Sequence, residues 1–167
     1  TYLQTVNDAP ATPLVVSLAS LGVAPGQWLR LASTGDYRYA GGLLDDYRSL
    51  VACFSAPATV LPESGFANRL PDAVPAGPRV GTGITYYGGL SADIPQDFVI
   101  SHPLWSDHVF VEVPAGASCL ILGTHDSYYG DTNDPDGVFA LEGTLLASPP
   151  LPGTRSMSPN EQKMTPG

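Results

Sequence analysis

The stretch His108-Val-Phe-Val-Glu-Val-Pro-Ala-Gly-Ala-Ser-Cys-Leu-Ile-Leu-Gly123 decides the fold class. Two short apolar runs, His108 to Val113 and Ala117 to Gly123, flank a Pro-Ala-Gly turn, and neither is long enough for a stable helix. The pattern also occurs upstream, where Leu14 to Leu18 and Gln27 to Ala32 flank Val23-Ala-Pro-Gly26. There Trp28, Arg30 and Ala32 alternate with Leu29 and Leu31, the period of a strand with one buried face. Leu50 to Phe54, Asp97 to Ser101 and Gly137 to Leu146 add further strand-like runs. No stretch of 11 or more residues keeps helical apolar spacing free of Gly or Pro. The expected fold is all-β, an antiparallel jelly roll or β-sandwich with long loops and extended termini.

A single sandwich domain is expected over residues 1–147, since 167 residues at 43% hydrophobic content can bury one core. Residues 1–13 read as an edge strand or extended arm. Residues 55–96, rich in Pro and Gly around Gly83-Ile-Thr-Tyr-Tyr87, read as a long excursion across the surface. The Pro-rich residues 148–167 read as an extended tail. The last two strands, one ending at Asp126 and one beginning after Gly137, are expected to pair across the loop that joins them. His102, Trp105 and His108 are expected on surface loops.

Charge narrows the partners. Sixteen acids against 7 bases give a net charge of −9, and the single Lys is Lys163. No basic patch exists to displace counterions from phosphates, so nucleic acid is not an expected partner. No apolar run approaches the roughly 18 residues of a membrane span, and no basic n-region with an apolar core opens the chain. Cys53 and Cys119 each lie inside a strand-like run, which leaves a disulfide and two buried thiols both open. No nucleophile elbow, His-Glu-x-x-His helix or phosphate-cradling loop is present, so a non-catalytic protein is expected.

Function is expected in the loop Asp126-Ser-Tyr-Tyr-Gly-Asp-Thr-Asn-Asp-Pro-Asp-Gly137. Four carboxylates this close repel one another unless a cation sits among them. Hard oxygen donors in a flexible loop suit calcium, which takes roughly 6 to 8 oxygens. The competing reading is a solvated acidic turn, because Asp and Asn also stabilise Asx-turns. No Lys or Arg lies between Asp107 and Arg155 to neutralise these acids, which favours the cation. Tyr128 and Tyr129 could stack on a sugar ring or close the loop against the sandwich end. His125 and Ser127 border the same site.

Three segments carry a resemblance. Val16-Ser-Leu18 with Gly22-Val-Ala-Pro-Gly-Gln-Trp-Leu-Arg-Leu-Ala-Ser-Thr-Gly35, closing at Tyr39, is similar to the opening strands of the calcium-dependent galactose-binding lectins of the PA-I type. Leu50-Val-Ala-Cys-Phe54 is similar to their next core strand, and Val113 to Asp126 through Gly137-Val-Phe139 to their last hairpin. Asp93-Ile-Pro-Gln-Asp-Phe98 and the final Asp-Pro-Asp-Gly more closely resemble exported bacterial proteins with a PEP-type C-terminal sorting signal. The resemblance implies a galactose-binding-domain-like sandwich and a secreted, extracellular or cell-surface protein. It also implies calcium held by the Tyr39 carbonyl, by Asp126, Asn133 and Asp134, and by a carbonyl near Gly130. One inserted residue in the loop lets Asp131 or Asp136 replace a family ligand. The segment Ala40 to Ser49 is shorter than the lectins' pocket-forming segment, so calcium binding carries over further than galactose binding.

Two functions of different classes follow. One is a secreted calcium-dependent module binding a glycan or polysaccharide through His125, Ser127, Tyr128 and Tyr129. The other is a structural subunit of an extracellular filament or matrix, self-associating through its termini, with calcium stabilising the fold.

Overall fold

The computed structural model describes residues 13–39, 44–47, 49–62, 68–80, 94–103, 106–124 and 133–152. It is a two-layer antiparallel β-sandwich. The first layer holds β1 (Leu14–Ser17), β10 (Cys119–Thr124), β5 (Leu50–Ser55) and β6 (Ala73–Val74) in that order, with β8 (Phe98–Ser101) also paired to β5. The second holds β11 (Ala140–Leu146), β2 (Trp28–Thr34), β9 (His108–Glu112) and β7 (Arg79–Val80). A separate hairpin pairs β3 (Tyr37–Tyr39) with β4 (Leu44–Tyr47). The Ala19–Leu21 turn is the one helical element among the described residues, and none there is long and apolar enough to cross a membrane.

Hydrophobic pattern sorts the strands between the layers. In β2 and β9, Leu29 and Leu31 pair with Val111 and Val109 on the core face, while Arg30, His108 and Glu112 face away. Alternation of this kind suits a sheet with one apolar face. By contrast, β5, β8 and β10 carry almost unbroken apolar runs, and such strands need cover on both faces. One face supplies Leu50, Ala52, Phe54, Leu120 and Leu122 to the core between the layers. The other carries Val51, Cys53, Cys119 and Ile121, and forms a second core with Leu70 and Ile94.

That second core comes from the long excursion. Leu70 and Ile94 are buried there, with Val60 and Ala73 packed alongside. Hydrogen bonds pin the segment: the Leu61 amide donates to the Arg69 carbonyl at 2.8 Å, and the Arg69 side-chain Nε donates to the Leu61 carbonyl at 3.0 Å. Ser55 Oγ donates to the Pro57 carbonyl at 2.8 Å.

Two expectations change. The strands β1 and β2 lie in different layers, and so do β10 and β11. The acidic loop therefore crosses between sheets and does not close a hairpin, because β10 is apolar on both faces and β11 is not. His102 is buried beside Ser106, with which it forms an isolated antiparallel bridge, and His108 is a strand residue on β9. Trp105, the Thr1 to Pro13 arm before Pro13, residues 81–93 and the tail beyond 152 lie outside the described residues.

Both cysteines are free thiols. Cys53 pairs with Ile121 and Cys119 with Ser55, which makes the two cysteines diagonal neighbours on one face. Diagonal neighbours stand roughly 7–8 Å apart at Cα, beyond comfortable disulfide reach. Burial, then the nearby Asp97 and Cys119, push the Cys53 thiol from 9.0 up to about 12. Burial also raises Cys119, against hydrogen bonds with Ser118 and Ser55 that lower it. A thiol whose pKa is raised by folding keeps its proton in the native state after the unfolded chain has lost it. Cys53 therefore draws stability down as pH rises from about 9 towards about 12. Melting curves at pH 8 and pH 10.5 should show a fall in Tm that is smaller in Cys53→Ala, and an equal fall in both proteins contradicts this.

Candidate functional site

Three contacts draw the end of the acidic loop onto the β3 hairpin. The Arg38 amide donates to the Asn133 carbonyl at 2.8 Å, and the Asn133 amide donates back to the Arg38 carbonyl at 3.1 Å. The Tyr37 ring packs on Phe139 with centroids 4.8 Å apart. Gly35, at φ +69°, sits so close to Val138 that an added Cβ would stand 2.3 Å from the Val138 carbonyl oxygen. These contacts join residues about a hundred positions apart in the chain.

Alternation in β3 explains what each side chain does. Tyr37 points inward, 2% exposed, and its hydroxyl lies 3.4 Å from the Ser49 carbonyl that accepts from it. Asp36 and Arg38 therefore share the opposite side, where with Pro135 and Asp136 they line a polar pocket of about 180 Å³. The Arg38 guanidinium brings positive charge to a site otherwise built from carboxylates.

The loop is also braced from within. One Asp134 carboxylate oxygen accepts the Gly137 amide at 3.0 Å and the other accepts the Phe139 amide at 3.2 Å. Asp136 Oδ1 accepts the Val138 amide at 3.3 Å. Such bonds are the Asx-turn chemistry of the competing reading. They leave room for a cation, since an ionised carboxylate has about four lone-pair sites.

Of the residues expected to hold calcium, Asn133 bridges to Arg38, one residue before Tyr39 in β3, and Asp136 lines a pocket with Arg38, with Asp134 between them in the chain. Asn133, Asp134 and Asp136 are exposed, and Tyr39 is placed by its backbone in β3. Asp126, Gly130 and Asp131, and the sugar candidates His125, Ser127, Tyr128 and Tyr129, lie outside the described residues. Among the described residues no three His, Cys, Asp or Glu side chains converge as a metal cluster. The donors present are all hard oxygens, the chemistry calcium takes. Asp36 and Arg38 were not singled out from sequence. Their signal was there in Asp36-Tyr-Arg38, where two charged residues alternate with an aromatic.

Gly35→Ala should lower stability by ~1–3 kcal/mol in urea denaturation, because it meets both a left-handed backbone and the Val138 carbonyl. A change within ~0.3 kcal/mol of zero contradicts the close approach. Comparison of the chain with protein-family models, curated proteins and solved structures gave no match.

Proposed function

We propose that this chain is a secreted, non-catalytic, calcium-dependent carbohydrate-binding module. The observation that carries the proposal is the backbone bridge between Arg38 and Asn133. It brings the β3 end, where the resemblance puts a carbonyl ligand at Tyr39, beside the loop where the resemblance puts the side-chain ligands. Asp126, Asn133 and Asp134 would hold the ion with the Tyr39 carbonyl and a carbonyl near Gly130, and Asp131 or Asp136 would supply a further oxygen. Bound calcium would neutralise the loop carboxylates and offer open positions to vicinal sugar hydroxyls.

The pocket beside the bridge has suitable chemistry for the same ligand class. Arg38 is a hydrogen-bond donor and Asp36 and Asp136 are acceptors, the two kinds of group that a polyhydroxylated ligand pairs with. Ionised partners make such bonds stronger than neutral ones.

Melting in millimolar calcium against EGTA tests the metal. At a calcium concentration a hundred times Kd the fold gains ~2.7 kcal/mol, a rise of about 5–10 °C for a domain of this size. Asp126→Ala should remove the rise. Asn133→Ala should reduce it while leaving Tm in EGTA unchanged, because the bridge to Arg38 uses main-chain groups alone. An unchanged Tm on adding calcium makes the loop an ordinary acidic turn. A glycan array read in calcium and in EGTA tests the ligand, and binding that is absent in calcium or equal in both contradicts the proposal.

A further inference from the structure

Among the described residues, β11 ends the second layer. Among the described residues its one strand partner is β2, and most of its seven residues are exposed. Leu141, Gly143 and Leu145 oppose Ser33, Leu31 and Leu29, which sets them on the core-facing side. Leu141 packs against the core, yet Leu145 is 46% exposed although its partner Leu29 is 4% exposed. The core thus runs out to an uncovered strand. Natural edges of this length are usually blunted by Pro, a bulge or charged side chains, and Ala140-Leu-Glu-Gly-Thr-Leu-Leu146 carries a single charge, Glu142, on its outer face.

We propose that β11 pairs antiparallel with β11 of a second copy, joining two four-stranded layers into one eight-stranded sheet. The sequence is self-complementary about Gly143. In that register Leu141 faces Leu145 of the other copy, Ala140 faces Leu146, and Glu142 faces Thr144. A two-fold axis normal to the sheet keeps the core faces together only if each residue meets one of its own parity, which leaves few alternatives. Centring on Glu142 sets two carboxylates directly opposite each other, which is destabilising. Centring on Thr144 sets Leu145 against Gly143 and loses the leucine pair. Of the registers centred on Glu142, Gly143 and Thr144, which pair most of the strand, the one about Gly143 pairs apolar with apolar and separates the charges. A seven-residue strand pair is smaller than a standard interface, so the dimer is concentration-dependent. The proposal rests on none of the residues expected to hold calcium.

Sedimentation velocity on the full chain, in a series reaching about 1 mM, reads the association directly. Position 144 is exposed, so its variants keep the fold. Thr144→Lys sets an ammonium against Glu142 of the other copy twice per dimer and should tighten association by about tenfold. Thr144→Glu should weaken it by about as much, and Leu145→Lys, which buries a charge at the seam, should abolish it. A monomer throughout the series overturns the proposal. So does a dimer whose Kd is the same in Thr144→Lys, Thr144→Glu and the parent, because that dimer uses another surface.

Discussion

Strand β5 has no solvent face, and the architecture follows from that constraint. All six residues of Leu50–Ser55 are buried, with β10 on one side and β6 and β8 on the other. A sheet built on such a strand must be covered twice. The alternating strands β2, β9 and β11 cover it from one direction and create the main core. The chain between β5 and β8 covers it from the other, with Leu70 and Ile94 filling the second core against Cys53, Cys119 and Ile121. Burying a side chain of this size is worth roughly 1.5–3 kcal/mol, so neither face could be left wet.

The same constraint positions the acidic loop. Because β10 belongs to the doubly covered layer and β11 to the singly covered one, the chain between them must cross the end of the sandwich. The β3 hairpin stands at that end, and the loop docks on it by main-chain hydrogen bonds at Arg38 and Asn133 and by Tyr37 against Phe139. Rigid strands thus present a polar loop whose carboxylates are partly braced by their own backbone amides.

Much of this was legible in the residues. The alternation of Trp28 to Ala32 gave β2 its faces, and seven strands were found within a few residues of their bounds. Partition between layers was also written there, in the contrast between unbroken runs such as Leu50 to Phe54 and alternating ones such as Trp28 to Ala32. It was missed because adjacency in sequence suggested pairing across the turns. The two-residue strands β6 and β7 were illegible, since elements that short take their form from the partner they dock on. At the site, the acidic loop was plain from charge density. Its attachment to β3 was not, because a main-chain bridge leaves no side-chain signature at Arg38 or Asn133. Only the resemblance linked Tyr39 to Asn133 and Asp134.

Calcium held between the loop and the β3 hairpin, as proposed, should tighten the main-chain docking at Arg38 and Asn133. Amide hydrogen exchange at Arg38 and Asn133, followed by NMR with calcium and with EGTA, measures it at the two groups concerned. The account predicts protection of both amides in calcium and faster exchange of both together in EGTA, since each donates to the other's residue. Exchange at the rate of an unstructured chain in both conditions would contradict the docking. Equal protection in both would contradict its dependence on calcium.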